Sequence, residues 1–71
     1  MMLDPVTIVR DHYDRAWDVM QQYADRDEIP QALYWVGAMT AYAEVLRDVF
    51  RTDDAEERIT NATLAMRDLG F

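Results

Sequence analysis

The chain contains no cysteine, no serine and no lysine, one histidine, two glycines and two prolines. Each shortage closes off a class of chemistry. Without cysteine no disulfide can staple the fold. A single imidazole, His12, cannot build the usual Cys/His zinc site. The common serine and thiol nucleophiles are missing, and the carboxylates crowd expected turns and solvent-facing positions. His12 falls on the flank of the first helical stripe with Ile8 and Val19, the place of an edge-packed ring rather than a catalytic one. The expectation is therefore no enzyme, no catalytic residue, no cofactor and no metal.

Long apolar runs are also lacking. QALYWVGAMTAYA, residues 31–43, carries no charge, yet it falls short of the ~20 residues of a membrane span. The stretch MMLDPV has neither the basic segment nor the apolar core of a secretion leader, so a cytoplasmic protein is expected. Positive charge is scarce: 7 arginines stand against 14 carboxylates, for a net charge of −7. Such a balance disfavours direct contact with nucleic acid or an anionic membrane. It favours solubility or a basic partner.

What remains is helical material. At 71 residues the chain suffices for one domain, 1–71, and folding at this size buries only about 60% of the surface. With disulfides and zinc excluded, self-association is the staple left open. Asp4-Pro5 is an N-cap followed by a first-turn proline. Val6, Val9, Tyr13, Ala16, Met20 and Tyr23 then recur at spacings of three and four, predicting a helix over about 5–25. Pro30 fits a second first turn, with Asp27 as the expected N-cap of a helix over about 28–51. Asp53 and Glu56 have the spacing of a capping box, and Ala55, Ile59, Ala62, Met66 and Leu69 form a stripe over about 54–69, closed by Gly70. The fold class is all-α: a three-helix bundle, or a long helical hairpin with a short third helix, self-associating.

Two clusters invite a functional reading. Asp4, Asp11, Asp14, Asp18 and Asp25 share one side of the first helix, the pattern of a solvated face, with Arg10–Asp14 and Asp11–Arg15 able to pair across a turn. Asp53-Asp54-Ala55-Glu56-Glu57 resembles an acidic metal motif, but its place in a first turn is explained by the helix dipole. Asn61-Ala62-Thr63 has the form of a glycosylation site and falls mid-helix.

The middle helix is the unusual one. At 100° per residue, Ala32, Trp35, Val36, Met39, Tyr42, Ala43, Leu46, Val49 and Phe50 make a core side. About 100° away runs a second uncharged stripe, Tyr34, Ala38, Ala41 and Val45, bordered by Gly37. Three helices cannot bury the middle one on every side, so this stripe is exposed or covered by a partner. The partner-binding residues expected are Tyr34, Gly37, Ala38, Ala41 and Val45. The function expected is protein–protein interaction through this helix, with a homodimer as the first partner and a larger target protein as a second. An alternative is a phage-type or mobile-element inhibitor, whose acidic face mimics nucleic acid on a basic target. Another is an oligomeric small-ligand binder with Tyr34, Trp35 and Tyr42 lining a pocket beside Arg47 or Arg51.

Overall fold

The structure, a computed structural model, describes residues 3–71. Met1 and Met2, part of the expected 1–71 domain and of the stretch read for a leader, lie outside the described residues. The first helix, α1, runs Pro5–Asp25. Its start is set by chemistry: Asp4 accepts the Val6 N–H at 2.9 Å, and Pro5 opens the first turn, where no N–H is needed. The predicted stripe faces inward, with Tyr13, Ala16 and Met20 buried.

The second helix, α2, runs Ile29–Val45 and continues as one wide π turn, Leu46–Phe50. The expected Asp27 cap does not form. Glu28 takes the N-cap position without a side-chain bond, while Asp27 adopts a left-handed backbone, φ 59°, that reverses the chain. A side-chain cap typically goes with a negative-φ, β-region backbone, which Asp27 does not have, and Asp is among the few residues that tolerate the left-handed one. The π turn ends at Arg51, also left-handed at φ 54°, with the Thr52 N–H bonded to the Leu46 carbonyl at 3.0 Å. A turn closed by i→i+5 bonds rotates less per residue than an α turn. Val49, expected in the core, is consequently swung outward and is 66% exposed.

The third helix, α3, runs Ala55–Asp68. Its expected Asp53–Glu56 capping box is absent: Asp54 holds the N-cap position, and its carboxylate turns away to two arginines. Ala55, Ala62 and Ala65 are buried, whereas Met66 of the expected stripe is 38% exposed. The helix is rotated so that alanines, rather than Met66, meet the core. At its end the Gly70 N–H reaches the Arg67 carbonyl and the Phe71 N–H reaches the Met66 carbonyl, with Gly70 at φ 105°. This is the Schellman pattern, with Gly70 closing the helix as expected from its place in the sequence.

The result is an all-α arrangement of three helices built around α2. Val36, Met39, Ala43 and Leu46 of the middle helix are fully buried. The two outer helices both pack on it, but no Cα of α1 lies within 8 Å of a Cα of α3. Packed helices normally run 8–10 Å axis to axis and bring backbone atoms closer than that. The two outer helices are therefore spread apart, and only long side chains cross between them.

Candidate interaction surfaces

The uncharged stripe of α2 lies on the side that neither neighbour covers. Tyr34 is 71% exposed, Gly37 and Ala41 are exposed, and Val45 is exposed beside them. Ala38 differs: it is half-buried and packs against the core. A Cβ added at Gly37 would meet nothing within 4 Å, so no close approach within the chain requires glycine there. The Tyr34 ring meets Trp35 edge-on at 5.3 Å and 87°, anchoring an exposed aromatic on a half-buried one. Val49, displaced by the π turn, is exposed one turn beyond Val45. His12 of α1 stacks on Tyr42 at 5.4 Å and 19° along the α1–α2 seam. Of the arginines named for a ligand pocket, Arg47 is tied to Asp48 at 2.7 Å.

The acidic face of α1 divides into two groups. Asp4 is the helix cap, and Asp14 accepts Arg58 at 2.9 Å. Asp11, Asp18 and Asp25 are exposed and form no ion pair among the described residues. The expected Arg10–Asp14 and Asp11–Arg15 pairs do not form. Arg10 instead grips Asp54 with two bonds, Nε at 3.1 Å and NH2 at 2.8 Å. A two-pronged carboxylate contact is stronger than a single pair across a helix turn.

That contact belongs to a polar clamp across the spread helices. Arg58 donates to Asp54 at 2.7 Å and to Asp14 at 2.9 Å, and its guanidinium lies 4.7 Å over the Tyr13 ring. The Tyr13 hydroxyl donates to the Arg58 carbonyl at 2.9 Å. Arg10 and then Arg58 hold the Asp54 carboxyl well below the usual carboxylate range. Burial, above all, pushes the Tyr13 phenol up. Both arginines here have a carboxylate partner, so the cluster ties α1 to α3.

Beyond the clamp the space between α1 and α3 is open. A depression of about 350 Å³ beside Tyr13, Glu57 and Arg58 adjoins one of about 510 Å³ between Met20, Ala24, Leu64 and Leu69. Trp17 and Asn61 line both, which makes one continuous groove. It shares no residue with the α2 stripe. Sequence reasoning missed it. Trp17 broadening the α1 stripe and Leu64 lying off the α3 stripe were its only local signals.

No protein-family model, no curated protein and no solved structure matches the chain. Among the described residues, no helix is long and apolar enough to cross a membrane. Among the described residues, no group of three His, Asp or Glu side chains is placed to hold a metal ion.

Proposed function

We propose that the protein is a small cytoplasmic interaction protein that pairs with itself through the exposed face of α2, and that a larger protein can use the same face. The observation that carries this reading is Tyr34, largely exposed at the head of an uncharged stripe on a helix whose other sides are covered. The spacing suits a two-fold pair. Tyr34, Ala38, Ala41 and Val45 follow one another at intervals of four, three and four. An antiparallel copy therefore sets Tyr34 of one helix against Val45 of the other, and Ala38 against Ala41. Small residues at the centre allow close approach, and large ones at the ends fill the flanks. One helix face offers less area than the ~800 Å² per partner of a standard interface, so micromolar association is expected.

The nucleic-acid mimic has less support. With Asp4 and Asp14 engaged inside the fold, Asp11, Asp18 and Asp25 stand seven residues apart. That is roughly one charge per 10 Å of helix, against one per ~1.7 Å in duplex DNA. A dilution series followed residue by residue with amide NMR tests the reading. Shifts should move together at Tyr34, Gly37, Ala41 and Val45, and high salt should preserve them. Concentration-dependent shifts confined to the acidic face, or lost in salt, would refute it.

A further inference from the structure

We propose that the groove between α1 and α3 is a second docking surface, one that takes a basic amphipathic helix from another protein. Its floor is apolar: Trp17, Met20 and Ala24 on one wall, Leu64 and Leu69 on the other. Leu64 is about half exposed and lines the groove. The groove follows α1 from Tyr13 to Ala24, three turns or about 16 Å. Two helices spread past ordinary packing distance, with apolar flanks on both, leave the seat that a fourth helix occupies in a bundle. A small molecule is a poorer fit, since such ligands need most of their surface enclosed and this trough is open along its length.

Charge selects the occupant. Asp27 and Asp68 edge one end of the groove and Glu57 the other. The single cation in the lining, Arg58, is already held by Asp54 and Asp14. The rim therefore presents carboxylates to anything that enters. A second copy of this chain, without lysine and with arginines outnumbered two to one by carboxylates, lacks the cationic helix face that this rim calls for. A helix with leucines on one face and lysines or arginines flanking them matches both floor and rim.

The test uses a synthetic 18-residue helix of leucine and lysine, with a leucine–glutamate helix of the same apolar pattern as its counterpart. Binding is read from Trp17 fluorescence in the Trp35→Phe protein and mapped by amide NMR. The lysine helix is expected to bind at least tenfold tighter than the glutamate helix, with shifts gathered at Trp17, Leu64 and Leu69. Leu64→Lys, at a half-exposed site, should weaken it tenfold or more, with far-ultraviolet circular dichroism showing that the variant stays folded. Asp68→Lys should weaken it several-fold without touching the floor, and Tyr34→Glu, on the other surface, should leave it unchanged. Equal binding of the two helices, shifts gathered instead at Asp11, Asp18 and Asp25, or indifference to Leu64→Lys would overturn the proposal. So would a short-chain alkylammonium ion binding as tightly as the helix.

Discussion

Replacing Gly37 with leucine separates the chain's own needs from those of a partner. Gly37 lies inside α2, where glycine costs about 0.8–1 kcal/mol relative to alanine, and leucine ranks close to alanine. A Cβ there meets nothing within 4 Å and the position is exposed, which leaves a leucine room to turn toward solvent. The isolated chain should therefore be stabilised by just under ~1 kcal/mol, which raises Tm by about 4–8 °C for a domain of this size. Association should change in the opposite direction. In the antiparallel pair Gly37 borders the closest approach of the two helices, and a leucine would hold them apart. Thermal unfolding followed by circular dichroism at low micromolar concentration reads the first effect, and light scattering at high concentration reads the second. A Gly37→Leu chain that melts below wild type when dilute refutes the open surroundings of Gly37. One that pairs as well as wild type refutes its place in the contact.

The clamp and the core give three further expectations. Asp54→Asn should cost roughly 1–2 kcal/mol at pH 7: two charge-assisted contacts are weakened, but their side chains are 20–40% exposed and partly screened. The folded-state pKa of Asp54 lies below its unfolded value of about 3.9. The contribution is therefore complete above about pH 5 and is lost as the pH falls toward the folded pKa, so in urea titrations the gap between wild type and Asp54→Asn should narrow from pH 7 to pH 2. Leu46→Ala empties a fully buried site at the start of the π turn. It should cost about 2–5 kcal/mol, a large share of the stability of a small domain, read by the same titration. Arg51→Gly relieves a left-handed backbone at φ 54° and should stabilise by roughly 0.5–1 kcal/mol in thermal melts, the relief exceeding glycine's entropy cost.

The sequence revealed most where a local signal had no competitor. Asp4-Pro5 fixed the start of α1 because cap and first-turn proline act within two residues. Gly70 fixed the end of α3 in the same way. The two inner junctions were misread by a residue because each holds a run of acids, and the choice among them is made elsewhere. Asp54 is drawn off by Arg10, 44 residues away, and no spacing in the sequence announces that bond. The π turn left no mark either, so Val49 was placed inward by an α-helical count that does not hold past Leu46. On α3 the buried residues are alanines, too small to make the inward face stand out from Met66 and Leu64. The α2 stripe was legible because its absence of charge persists over three turns. The groove was not, because it depends on how far α1 and α3 stand apart, a property of packing around α2 rather than of either helix.

The central claim is that α2 meets a second copy of itself, and sedimentation velocity measures this most directly. Wild type and Tyr34→Glu are compared from low to high micromolar concentration, at low and high salt. The account predicts that wild type moves from the 8.3 kDa chain mass toward twice that value and holds there in high salt, while Tyr34→Glu remains at 8.3 kDa throughout. A wild-type chain that stays at the single-chain mass at the highest concentration, or a Tyr34→Glu chain that pairs equally well, would contradict it.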